Sequence, residues 1–134
     1  MSKSNNFSAQ YRVYYEDTDA GGVVYYANYL KFFERARTDF LRARNISQSD
    51  LLVREKIAFV VRSCKLDYLR PAKLDDLVDV SVEVVKIGAA SIAMRQEMKR
   101  GAELLNVLDV EIVSVDAQSF RPKKIPAAVM TAII

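Results

Sequence analysis

The clearest pattern along the chain is a two-residue alternation. Val78, Val80, Val82 and Val84 are separated by Asp79, Ser81 and Glu83, which predicts a strand with one buried face. Ile92, Met94, Gln96 and Met98 alternate in the same way with Ala93, Arg95, Glu97 and Lys99. Ile87-Gly88-Ala89-Ala90 separates these two runs as a turn, and Arg100-Gly101-Ala102 turns the chain again before a last long strand over Leu104 to Val115. Upstream, Ile57 to Leu69 reads as a strand with Ile57, Phe59 and Val61 on one face, ended by Pro71. An aromatic and β-branched run, Gln10 to Glu16, predicts the first strand. Between them the period changes. Tyr29, Phe33, Ala36 and Phe40 recur at helical spacing while Lys31, Glu34, Arg35 and Arg42 fall elsewhere, so residues 28–44 form a helix with Asn28 as its N-cap. Ser47-Gln-Ser-Asp50 has capping-box spacing before Leu51 and Leu52 and predicts a short second helix, although a polar turn fits the same residues. Pro126 to Ile134 reads as a short C-terminal helix.

One main helix and several strands joined by tight turns make an α+β domain, an antiparallel sheet wrapping the apolar face of Phe33, Ala36 and Phe40. No repeat or linker divides the chain, so residues 1–8 are expected to be a polar tail and 9–134 a single domain. At 134 residues such a domain is small enough to gain from oligomerisation. A net charge of only +3 argues against a general nucleic-acid binder. No apolar run approaches the ~20 residues of a spanning helix, and the polar first eight residues do not make a signal peptide. Cys64 is the single cysteine, which predicts a reducing, cytoplasmic setting and a small buried apolar side chain. Met94 and Met98 are expected in the sheet core.

Histidine is absent. Ser-His-Asp and Cys-His arrangements and histidine metal sites are therefore excluded within the chain, and acid–base work falls to carboxylates, tyrosines, lysines, water or backbone amides. The stretch from Tyr15 to Arg37 concentrates such groups. Asp17 and Asp19 precede Gly21 and Gly22, and a short apolar run then enters the helix. A helix start presents free N–H groups and a partial positive charge, which suits an anion or a polarised carbonyl oxygen. A carboxylate beside it can serve as nucleophile or general base.

The segment D-T-D-A-G-G-V-V-Y-Y-A-N-Y, Asp17 to Tyr29, resembles the acidic loop and central helix of the hotdog-fold thioesterases, in the branch that groups YbgC-like acyl-CoA thioesterases with 4-hydroxybenzoyl-CoA thioesterase. F-E-R-A-R from Phe33 and F-R-P-K-K-I-P from Phe120 continue the likeness over nearly the whole chain. The resemblance implies a hotdog fold and hydrolysis of acyl-CoA thioesters, with no metal or redox cofactor. It implies Asp19 as catalytic carboxylate, the Tyr26 backbone N–H as oxyanion donor, and Asp17 in a structural role. Tyr15 would stand near the carboxylate, or else in the core as a strand tyrosine. Gly22 would let the thioester approach closely. Arg121, Lys123 and Lys124 would grip the phosphates of coenzyme A or the acidic face of an acyl carrier protein, or form a solvated loop. The YbgC-like branch often carries histidine where Tyr26 stands, whereas 4-hydroxybenzoyl-CoA thioesterase has tyrosine, so an aromatic acyl-CoA substrate is the alternative. A subunit contact fits Tyr26 as well as a direct side-chain role does. A non-catalytic scaffold binding acyl carrier protein is a third reading. Related enzymes build each active site between two subunits, which implies a homo-oligomer, a dimer or a tetramer of paired dimers.

Overall fold

The computed structural model describes residues 6–134. Strand β1 (Asn6–Arg12) leads through a 3-10 turn (Tyr15–Asp17), a loop and a second 3-10 turn (Tyr26–Asn28) into α1 (Tyr29–Ala43). A single helical turn, α2 (Gln48–Asp50), continues as a π-helical turn (Leu51–Glu55). Four long strands follow, β2 (Ile57–Tyr68), β3 (Leu77–Ile87), β4 (Ser91–Arg100) and β5 (Glu103–Asp116), and α3 (Ala127–Ile133) ends the chain. All pairings are antiparallel and the strand order is β1-β3-β4-β5-β2, so β1 and β2 are the two edges.

The predicted alternations set the core. Val78, Val80, Val82 and Val84 are buried on β3, and Ile92, Met94, Gln96 and Met98 on β4. They face Phe32, Phe33, Ala36 and Phe40 of α1, all within the same apolar cluster. Phe32 and Leu41 widen the helical stripe beyond the residues expected, as a helix lying on a curved sheet requires. Gln96 is the polar member of the inward row and is satisfied there: its amide donates to the Phe33 carbonyl at 3.0 Å and its oxygen accepts from Arg37 at 2.9 Å. Burial lowers the Arg37 pKa below its ordinary value. No helix among the described residues is long and apolar enough to cross a membrane.

Four expectations need correction. The first strand covers Asn6–Arg12 rather than Gln10–Glu16, because pairing with β3 runs from Arg12↔Leu77 to Asn6↔Glu83; residues 6–8 of the expected tail are thus strand, and 1–5 lie outside the described residues. Asn28 does not cap α1 with its side chain. Its backbone is already helical (φ −75°, ψ −18°), so the amide turns instead to the Asp17 carbonyl at 3.1 Å. Cys64 is exposed, not buried. It pairs with buried Val110 and so shares the inner face, but β2 is an edge strand and α1 does not reach far enough to cover it. Ser47 does cap the short helix: its hydroxyl accepts from the Asp50 N–H at 3.3 Å, the N-cap half of a capping box. Fourth, Tyr15 lies in a 3-10 turn and outside the core.

Candidate active site

The acidic loop is a closed turn. Asp19 N–H donates to the Val23 carbonyl at 2.9 Å and Gly22 N–H to the Asp19 carbonyl at 3.0 Å, with Thr18 and Val24 bridged across its base. Gly22 has φ +79°, a left-handed conformation that a side chain resists, while a Cβ there would meet nothing within 4 Å. Its glycine therefore serves the backbone of the turn. Gly21 is the residue against the carboxylate: its N–H donates to Asp19 Oδ1 at 2.8 Å, and a Cβ would lie 3.3 Å from that oxygen. The Asp19 side chain is held on the exposed rim of the turn, oriented by one amide and otherwise open.

Asp17 is the opposite case. It is buried, its Oδ2 accepts from the Tyr14 N–H at 2.8 Å, and its carbonyl accepts from Tyr25 N–H and Asn28 Nδ2, each at 3.1 Å. Three hydrogen bonds join the two successive 3-10 turns on this one residue. The structural role implied for Asp17 has these contacts as its physical content.

The loop is also stitched to the segment after β2. Val24 N–H donates to Ala72 O at 2.8 Å, Leu74 N–H to Gly22 O at 3.1 Å, and Val23 bridges Lys73. Buried Tyr29, the first residue of α1, accepts from the Ala72 N–H at 3.0 Å. Desolvation raises the Tyr29 pKa, opposed by the Ala72 hydrogen bond and Arg100, and the negative charge of Asp19 adds to the rise. Hydrogen bonds thus join the loop and the helix start to the connection between β2 and β3.

Tyr26 opens the 3-10 turn, where a helical turn leaves its first N–H groups without internal acceptors. Its side chain is 62% exposed and its ring lies 4.9 Å from that of Tyr25. Tyr15 is 82% exposed, in the first 3-10 turn rather than in a strand. The ring is not in the core, so the alternative of a strand tyrosine packed there is corrected. The reason is local: the buried Asp17 carboxylate bends the chain at Tyr14 and turns Tyr15 outward.

Arg121, Lys123 and Lys124 are exposed and do not join Asp19 within one chain. Lys123 N–H donates to Ser114 O and its Nζ to Glu55 O, both at 2.8 Å, while Arg121 O accepts from Asp116 N–H. That places the cluster where Ile57 pairs with Asp116, whereas the acidic loop sits where Tyr68 pairs with Asn106. The length of β2 separates them, roughly 35 Å at the usual rise of a strand. A residue that nothing in the sequence singled out, Tyr68, stands at the loop end, its hydroxyl donating to the Tyr26 carbonyl at 3.0 Å.

The description Thioesterase-like superfamily fits residues 13–133 of the chain. The acyl-CoA thioesterase YbgC of Haemophilus influenzae is 47% identical over 128 residues, covering 96% of this chain and 94% of that protein. Among solved structures, a probable thioesterase from Bartonella henselae matches with a TM-score of 0.87 at 35% identity over 90% of this chain and 99% of that one. A mutant 4-hydroxybenzoyl CoA thioesterase complexed with 4-hydroxybenzoyl CoA shares the fold alone, with a TM-score of 0.88 at 19% identity, covering 97% of this chain and 99% of that one. With its helix laid on a five-stranded antiparallel sheet, the chain is a hotdog-fold member of the thioesterase-like superfamily, in the YbgC branch.

Proposed function

We propose that the protein hydrolyses acyl-CoA thioesters to the free acid and coenzyme A. The observation that carries this reading is an exposed carboxylate, Asp19, held by the Gly21 amide, in the loop that leads into the turn starting at Tyr26, whose first N–H a helical turn leaves without an internal acceptor. A thioester carbonyl seated at the helix start would direct its oxygen to the Tyr26 N–H, which stabilises the negative charge developing there. Asp19 then attacks the carbonyl carbon, or removes a proton from an attacking water. Either way the C–S bond breaks and coenzyme A leaves as a thiolate that takes up a proton; in the first case water then cleaves the acyl–Asp19 anhydride to release the acid and restore the carboxylate, and in both one water is consumed. A backbone donor does not depend on the Tyr26 side chain, so tyrosine in place of histidine leaves this step intact. Gly22 shapes the turn over which the thioester passes.

The complete site in this reading needs a second chain. β2 is a free edge of 12 residues, exposed from Val60 to Lys65. An antiparallel pairing of β2 with its copy would set the Ile57 end of one chain beside the Tyr68 end of the other. Arg121, Lys123 and Lys124 would then approach the Asp19 of the other subunit, where they can take the phosphates of coenzyme A or the acidic surface of an acyl carrier protein. Exposed Tyr15 would face that second chain or the substrate. A tetramer of two such dimers would use the outer face of the sheet, where Arg95 pairs with Asp109 and Arg62 with Glu111. An exposed, unpaired Cys64 fits a reducing cytoplasm.

A second reading, an aromatic acyl group, is favoured by one observation: Tyr25, Tyr26 and Tyr68 place exposed rings at the helix start. A thiol-release assay across short, long and aromatic acyl-CoAs tests both. Hydrolysis of none of them, together with tight binding of acyl carrier protein, would leave the scaffold reading in its place.

A further inference from the structure

The turn that carries the Tyr26 amide has no buried residue, so core packing does not hold it. It is tied on two sides instead. On the loop side, Asn28 Nδ2 reaches the Asp17 carbonyl. On the sheet side, Tyr68, the last residue of β2, donates its hydroxyl to the Tyr26 carbonyl at 3.0 Å. The ring of Tyr68 also stands edge-on to Tyr26, with centroids 6.4 Å apart at 86°, and packs against Tyr29 at 5.4 Å and 58°. The three contacts fall on a four-residue stretch, the 3-10 turn and the first residue of α1.

We propose that Tyr68 is a positioning residue for the thioesterase reaction: its hydroxyl fixes the tilt of the Tyr26 turn so that the Tyr26 N–H meets the oxyanion. The proposal rests on the role given above to that amide. An oxyanion donor works only when it sits about 2.7–3.1 Å from the place the charged oxygen will occupy, so a small rotation of an unburied turn weakens it. Fixing the Tyr26 carbonyl fixes the backbone of the residue whose N–H does the work, because the two share one Cα and two soft dihedrals. The gain falls on the transition state, where charge has developed, and not on the bound thioester. Partial burial, with Tyr29, Tyr26 and Cys64 nearby, raises the Tyr68 pKa above that of an ordinary phenol, so the hydroxyl keeps its proton over the neutral range in which the enzyme would work.

Tyr68→Phe removes the hydroxyl and keeps both ring contacts. The expected result is a fall in kcat of about 3–10-fold, the size of one lost neutral hydrogen bond, with KM within about twofold of the parent. Oligomer mass and thermal midpoint should not change. An unaltered kcat would overturn the proposal. So would a loss that appears in KM and thermal midpoint together, which is the pattern of general loosening. Asp19→Asn measured alongside separates the two ideas. If Asp19→Asn is inactive while Tyr68→Phe matches the parent, only the role of Tyr68 fails. If Asp19→Asn stays active, the site reading fails and the role of Tyr68 goes with it.

Discussion

The two ends of β2 carry opposite chemistry. At the Tyr68 end, backbone hydrogen bonds close the acidic loop, and the first turn of α1 arrives with Tyr29 buried. At the Ile57 end, a loop bearing Arg121, Lys123 and Lys124 lies along the last residues of β5, its cations in water apart from the Lys123 contact with Glu55. One end is over-determined and the other is loosely furnished. The rigid end can hold a reacting carbonyl to within a fraction of an ångström, while long, solvated cations suit a bulky polyanion whose exact seat matters little. The same strand separates them, and in the proposed dimer a second, reversed chain would bring them together.

The sharpest way to break this contrast is at the rigid end. Asp19→Asn keeps the shape and the Gly21 hydrogen bond but removes charge and basicity, and kcat should fall by at least about a hundredfold. Thiol release at equal oligomer mass and thermal midpoint checks it; more than a tenth of parental activity would remove Asp19 from the chemistry. The next largest effect should come from the edge between the ends. Val61 lies on the inner face of β2, paired with Ile112 and 51% exposed in one chain. Val61→Lys puts a cation where a second chain would desolvate it, so light scattering should report a monomer and kcat/KM should drop roughly tenfold or more. A fully active monomer would contradict the two-chain site.

The loosely furnished end should respond differently. Replacing Arg121, Lys123 and Lys124 together by alanine should raise KM for acyl-CoA at least about threefold and leave kcat within about twofold, since phosphate contacts are made equally in ground and transition states. An unchanged KM returns the cluster to a solvated loop. Smallest of all should be Tyr26→Phe, which removes a hydroxyl and keeps the amide: a change of at most about threefold in kcat, followed by the same thiol release. A loss rivalling Asp19→Asn would move the chemistry from backbone to side chain.

How far the chain could be read depended on how local each residue's circumstances are. The valines of β3 and the Met-Gln-Met row of β4 were legible because each position faces either helix or water, and even Gln96 kept its place by finding Phe33 and Arg37. Asp17, Asp19 and the glycines were legible as a loop, since the turn closes on its own atoms. Tyr15 and Cys64 were not, because the first is turned outward by Asp17 and the second lies on an edge strand, where exposure follows from strand order and not from the local sequence. Tyr68 acts on a residue 42 positions away, and no local pattern announces a contact of that range.

The register of β2 against β5 has a consequence for how the protein is made. Tyr68 must wait for Asn106, and Ile57 for Asp116. At about 5–20 residues per second on a ribosome, a nascent β2 stands without its in-chain partner for several seconds, its apolar inner row presented to whatever is near. Closing so distant a pair is also the slow, entropically costly part of folding a sheet of this topology. A second chain, which in the proposed assembly joins at the other edge of the same strand, would meet a fixed strand only once β5 has arrived. Assembly is then a late, concentration-dependent step, and dilute or newly made chains would be complete in fold before they are complete in activity.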